Sequence, residues 1–317
     1  MDTRSSLATA VFSMLLATSF VRAQAPVYAQ TPTITPGGIV NASSVTAGQA
    51  AGPANLSEIF RNTLATRMTL ADSTPLAPVI NAGGIVPIGS SVNTVSSGSW
   101  AAIYGNNLGT STATWNGDFP KSLGGASVTF DGRPAYLYYA SPGQINIQVP
   151  DDSRTGTVTV SVSNSNGTGT STVTLSQFAP SFPLLDNKHP AGIILRSDGS
   201  GAFGGGTYDI VGPTGTSLGY KTVAAKAGDS LVLFGVGFGP TTPFVPAGSP
   251  FSGQATTNSQ VTFNINGKTV TPGFAGLSSA GLFQFNIAVP AGLGSGEVPL
   301  TASVGGVTTP QFVLSLQ

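Results

Sequence analysis

The chain has 317 residues, room for two or three compact domains at ordinary domain sizes. Hydrophobic residues make up 40% and charged residues only 8%. Twelve basic residues cancel twelve acidic ones, so the chain carries no charge footprint for nucleic acid or an anionic membrane surface. With no cysteine and a single histidine, it has neither disulfide staples nor the ligands of an ordinary zinc site.

Residues 1–25 read as a signal peptide. Arg4 and the amino terminus form a short positive region, and Leu7 to Phe20 is an uncharged apolar run of 14 residues. That run is shorter than the roughly 20 residues needed to cross a bilayer, and Ala23-Gln24-Ala25 supplies an A-x-A cleavage site. The expected localisation is therefore secreted or cell surface, with no membrane span after signal removal. A surface solvated by Ser, Thr, Asn and Gln rather than by charge suits that compartment.

Residues 26–77 read as a linker and a short helix. The stretch 26–53 is rich in Pro, Thr, Gly and Ala. Over 54–70, Leu56, Ile59, Phe60, Leu64 and Met68 recur at three- and four-residue steps, Asn55 can cap the run and Glu58 stands three residues later.

From about residue 78 onward, short β-branched and aromatic runs alternate with Gly, Pro, Asn and Ser clusters, the pattern of strands and turns. Over 157–163, TVTVSVS alternates strictly, predicting a strand with one face in a core and one in water. Two phrases recur. Gly98, Tyr104, Gly105, Leu108 and Gly109 match Gly228, Phe234, Gly235, Phe238 and Gly239 at an offset of 130. Q-I-N-I-Q-V-P at 144–150 matches Q-F-N-I-A-V-P at 284–290 at an offset of 140, and Gly156-x-Val158 matches Gly296-x-Val298. V-T-F at 128–130 recurs at 261–263, each ahead of a turn glycine, Gly132 or Gly267. Shared landmarks in one order indicate a duplicated unit. The fold class expected is all-β: two tandem immunoglobulin-like β-sandwiches behind a short N-terminal helix. The first occupies 78–178, a connecting segment 179–219, and the second 220–317. Neither has the Cys-Trp-Cys pin of antibody domains. Gln144 and Asn146, with Gln284 and Asn286, are expected to bond neighbouring backbone and fix register.

The order G-x-x-x-x-I-Y-G-x-N-L-G, VTFDGRPA and SPGQINIQVP, followed by GVGFGPTTP and LFQFNIAVP, resembles the C-terminal domain family of unknown function described from Solibacter-type soil bacteria. NAGGIVP at 81–87 resembles that family's opening, so the likeness covers about 78–317. A looser similarity joins both units to IPT/TIG immunoglobulin-like domains. The resemblance implies a secreted, non-catalytic β-sandwich module, usually attached to something else, whereas here little precedes it.

Catalytic motifs are hard to find. G-V-G-F-G at 235–239 leads into Pro240 and TTPFVP rather than a helix, so it is not a dinucleotide loop. His189, the only histidine, sits in a turn before Pro190. No catalytic residue, cofactor or metal is assigned. Asp residues mostly stand beside Gly, Asn or Ser, as turn formers do. The surface candidate is Tyr136 and Tyr138, which strand alternation puts on one face, with Leu137 and Tyr139 on the other. An outward tyrosine pair would stack on sugar rings; an inward one would pack. The expected role is a structural, adhesive or glycan-contacting module, with an extracellular polysaccharide or a cell-surface protein as partner and no nucleic acid. The alternative is a secreted carboxylate-dependent hydrolase, with its site around Asp186 to Asp209 at the junction of the units.

Overall fold

The computed structural model describes residues 76–317. The signal peptide, linker and helix expected within 1–75 lie outside the described residues. Ala77–Gln317 belong to one compact unit, and within it the chain is all-β, as two sandwiches.

In the first lobe, one sheet runs Val79–Pro87, Trp100–Asn106, Gln144–Gln148, Tyr136–Ala140 and Ala113–Thr114. The facing sheet runs Thr94–Ser96, Gly167–Ser176, Gly156–Asn164, Ala126–Phe130 and Ser122–Leu123. Thr94–Ser96 joins Thr174–Ser176 in parallel, while Val79–Pro87 pairs antiparallel with Trp100–Asn106 in the other sheet. The opening segment thus contributes to both layers, and the strand order is that of a constant-type immunoglobulin sandwich. Val158, Val160 and Val162 point into the core with Val128, Phe130, Ile145 and Ile147, as alternation predicts.

The second lobe repeats the plan. Its larger sheet runs Tyr208–Ile210, Gly192–Leu195, Ser230–Gly235, Leu282–Ala288, Phe274–Ser279, Ser252–Thr257 and Thr241–Thr242. Its smaller sheet has Lys268–Val270, Val261–Ile265, Gly296–Val304 and Val307–Thr308, with Phe312–Leu316 also on Gly296–Val304. Gly192–Leu195 pairs with Ser230–Gly235 as Val79–Pro87 pairs with Trp100–Asn106. The segment 179–219, expected as a connection, therefore contributes two strands to the second lobe.

The central strands of the two lobes pair in the same register. Tyr104 lies opposite Gln144, and Phe234 opposite Gln284; Ala101 lies opposite Ile147, and Leu231 opposite Ile287. Gln144 Nε2 donates to Asn146 Oδ1 at 2.8 Å, and Gln284 Nε2 to Asn286 Oδ1 at the same distance. These side chains bond one another rather than backbone, and the buried Asn146 Nδ2 is left without a partner. The V-T-F landmark needs correction. The turns Asp131-Gly132 and Asn266-Gly267, all four residues at positive φ, are the equivalent points. Phe130 opposes Val160, whereas Ile265 opposes Leu300, so Phe130 matches Ile265 and Val128 matches Phe263. The literal match is displaced by two residues, a shift that leaves the inward face unchanged because side chains alternate with period two.

The phrase repeated at 104–109 and 234–239 has a packing cause. Leu108 and Phe238, both fully buried, fold back over Gly105 and Gly235. A Cβ on Gly105 would stand 2.8 Å from the Leu108 side chain, and one on Gly235 2.7 Å from the Phe238 ring. The reversal passes through Asn107 (φ 55°) and Gly237 (φ 78°), in the left-handed region that Gly and Asn tolerate best.

Candidate functional site

The outward face of the Trp100–Asn106 sheet does not meet water along its length. Trp100, Ala102 and Tyr138 of the first lobe join Ile193, Val232, Phe234 and Leu282 of the second in one buried cluster. Trp100 Nε1 donates to the Ala280 carbonyl across the junction at 2.7 Å. Trp115 and Tyr138 stand edge-on to the Trp100 ring, at centroid distances of 5.6 and 6.0 Å.

The sequence-derived candidates Tyr136 and Tyr138 lie on this side. A bulge between Leu137 and Tyr139 breaks the alternation, so Tyr139 joins Tyr136 and Tyr138 against the junction cluster while Leu137 and Ala140 face the sandwich core. Tyr138 is 8% exposed. Tyr136 is half-buried beneath Gly248 of the second lobe, whose positive φ (74°) and missing side chain let the backbone lie on the ring. Lys121 Nζ stands 5.8 Å from the Tyr136 ring centroid.

Beside this contact, the two lobes enclose a cleft of about 610 Å³, within the size range of small-ligand sites. Its first-lobe wall carries Ser97, Arg133, Asp151, Asp152 and Arg154; its second-lobe wall carries Pro240, Phe244 and Val245. Pro150 ends strand pairing just before the charged loop, so residues 151–155 project from the sandwich end. Asp152 sits at the centre of that wall. Its side chain is 3% exposed, with Oδ2 2.6 Å from Arg154 Nη2 and 3.5 Å from Arg133 Nε. Arg154 Nε donates to the same carboxylate at 3.1 Å, and its Nη1 to Asp131 Oδ2 at 3.2 Å. The hydrogen bonds and charge of Arg154, with Arg133, hold the Asp152 carboxyl at about 2, well below the usual range. Burial pushes the neighbouring Asp151 upward, opposed by the backbone N–H of Ala247 that its Oδ2 accepts at 2.9 Å.

Phe244 is 68% exposed. Among the described residues the only other exposed aromatic is Tyr104, and it is far less exposed. Phe244 stands in T-P-F-V-P, where prolines on both sides prevent strand pairing and keep the ring on a loop. The first lobe pins that loop at two points. Asp151 takes the Ala247 amide, and Gln148 Oε1 accepts the Gly248 amide at 2.9 Å. The arrangement offers one apolar ring beside a wall of paired donors and acceptors.

The repeat separates scaffold from site. At the shared offset of 140, Asp151-Asp152-Ser153-Arg154 corresponds to Ala291-Gly292-Leu293-Gly294. The matching end of the second lobe holds a cavity of about 210 Å³ lined by Gly292, Leu293 and Gly294. The charged wall therefore exists in one copy only, and the common sandwich does not need it. Arg133, Arg154 and Phe244 escape a motif search because they form no contiguous pattern. Their sequence signal is that scarce charge is concentrated at 131–133 and 151–154, and that an aromatic stands between prolines.

The carboxylates of the alternative hydrolase site are engaged locally. Asp186 Oδ1 accepts the backbone N–H groups of Lys188 and His189 at 2.8 Å each, and its Oδ2 lies 2.8 Å from His189 Nδ1. Asp209 accepts Arg196 Nε and the Ala202 amide, both at 2.9 Å. These contacts fix the loops around the two added strands.

No family model matches the chain, and no curated protein does. Among solved structures it is similar to a mixed-linkage glucan utilization protein, SGBP-B, of Bacteroides ovatus in complex with a heptasaccharide. That likeness has 13% identity and a TM-score of 0.32, over 78% of this chain and 46% of that one. It is also similar to SGBP-B from a xyloglucan utilization locus of Bacteroides uniformis, with 13% identity and a TM-score of 0.20 over 75% and 49%. A third likeness is to the I9–I11 tandem of titin, with 10% identity and a TM-score of 0.19 over 75% and 65%. The chain thus spans about half the length of the two Bacteroides proteins, and at such TM-scores none of the three bears on what this chain binds. Among the described residues, no helix is long and apolar enough to cross a membrane.

Proposed function

We propose that this protein is a secreted or cell-surface, non-catalytic binding module that contacts a glycan in the cleft between its lobes. One observation carries the reading: a solvent-exposed aromatic, Phe244, shares a cleft with a wall of carboxylates and guanidiniums that only one of the two duplicated lobes possesses. A sugar ring is apolar across its axial C–H groups and polar around its rim, so it suits an aromatic face bordered by charged hydrogen-bonding groups. Retention of the charge-poor chain outside the cell rests on the apolar segment and A-x-A site within residues 1–25. The same proposal includes membership of the Solibacter-type uncharacterised family, supported by the motifs at 98–109, 128–135 and 141–150.

The test is a depletion assay with insoluble polysaccharides and isolated cell envelopes. The protein is expected to leave the supernatant without releasing reducing sugar. Sustained release of reducing ends, abolished by replacing two carboxylates, would overturn the non-catalytic reading. An exported protein should begin after Ala25, which N-terminal mass determination checks.

A further inference from the structure

Building on the proposed glycan site, we infer that the cleft takes a neutral, hydroxyl-bearing glycan and discriminates against acidic ones. The reason is the state of its guanidiniums. An acidic sugar is recognised best by an arginine whose planar fork is free to meet a carboxylate with two parallel hydrogen bonds. Here the Arg154 fork is already filled, and Arg133 is turned toward the Asp151–Asp152 loop. Arg154 places Nε and Nη2 on Asp152 and Nη1 on Asp131. Arg133 donates through Nη1 to the Asp151 carbonyl at 3.1 Å and approaches Asp152 through Nε. On the wall Asp151 and Asp152 balance Arg133 and Arg154, and Asp131 pairs with Arg154 from outside the lining, so no net positive charge is left to attract a polyanion.

What remains on the wall are the outward N–H groups of half-exposed guanidiniums and carboxylate lone pairs, side by side. Adjacent hydroxyls on a sugar each donate and accept, and so satisfy both kinds of group at once. Phe244 covers the apolar face of the same ring. Because no net charge is exchanged on binding, affinity should be nearly independent of ionic strength, unlike capture of a polyanion.

Affinity electrophoresis of the whole protein tests this, using xylan, hydroxyethylcellulose and soluble starch as neutral probes, and polygalacturonate and alginate as acidic ones. At least one neutral polymer should retard the protein, with little change between low and high salt, and Phe244→Ala should weaken that retardation at least tenfold. Phe244 is exposed, so this variant should fold; an unchanged circular dichroism spectrum checks it. Stronger retardation by an acidic polymer, lost on adding salt, would overturn the neutral class while leaving a glycan site in place. Retardation untouched by Phe244→Ala would remove the cleft as the site. No retardation by any of the five probes would overturn the glycan reading itself.

Discussion

At the scale of single residues, the decisive contrast is between aromatics that pack and one that does not. Tyr136 and Tyr138 are left open by the sequence, outward platform or packed pair, because strand alternation cannot reveal what covers the outer face of a sheet. A second lobe covers it here. Phe244 was legible only through its flanking prolines. Asp152 is the residue whose chemistry is most distorted, and its effect on stability has a definite sign. Its folded-state pKa of about 2 lies below the ordinary carboxylate value, so the ionised form favours the fold. That stabilisation is complete above the ordinary pKa of about 4 and is lost as pH falls from there toward 2. Urea midpoints measured across this window should drop more steeply for the native protein than for Asp152→Asn, which lacks the titration. Identical acid limbs would contradict the assigned role.

At the scale of elements, the alternating strands were readable because one face of each is buried. TVTVSVS is the plainest case. Three features were not readable. The bulge after Leu137 inserts a residue without changing composition, so simple alternation puts Tyr139 on the wrong face. The V-T-F match was displaced by two residues, invisible to an inside–outside pattern of period two. The strands at 192–195 and 208–210 were also obscured, since glycine and aspartate around them resemble a loop. The reversal at 105–108 and 235–238 yields a prediction at this scale. Phe238→Ala removes a fully buried ring that fills the space above Gly235, and should cost about 3–5 kcal/mol of unfolding free energy. A loss under about 1 kcal/mol in denaturant titration would mean that the site collapses freely. The Phe244 loop gives another. In Asp151→Ala, the Ala247 amide loses its acceptor, so its hydrogen exchange should accelerate while strand amides of both cores stay protected. Unchanged exchange at Ala247 would show that the loop does not depend on the first lobe.

At the scale of the whole molecule, duplication explains the fold, and divergence between the copies points to the site. The lobes share strand order, paired amide side chains and the buried reversal, yet only the first carries Asp151, Asp152 and Arg154 at its end. The lobes are also joined by a buried cluster around Trp100. Calorimetry should therefore show one unfolding transition for the intact chain, and Trp100→Ala, which opens that junction, should cost about 3–5 kcal/mol or split the transition in two. Two well-separated transitions in the unaltered protein would mean that the junction adds little.

The most direct test of ligand capture between the lobes is amide and arginine Nε chemical-shift mapping during titration with a neutral oligosaccharide. Shifts confined to Arg133, Arg154, residues 151–155 and the loop at 244–248 are predicted. Shifts mapping to a sheet edge remote from these residues, or none at saturating sugar, would contradict it.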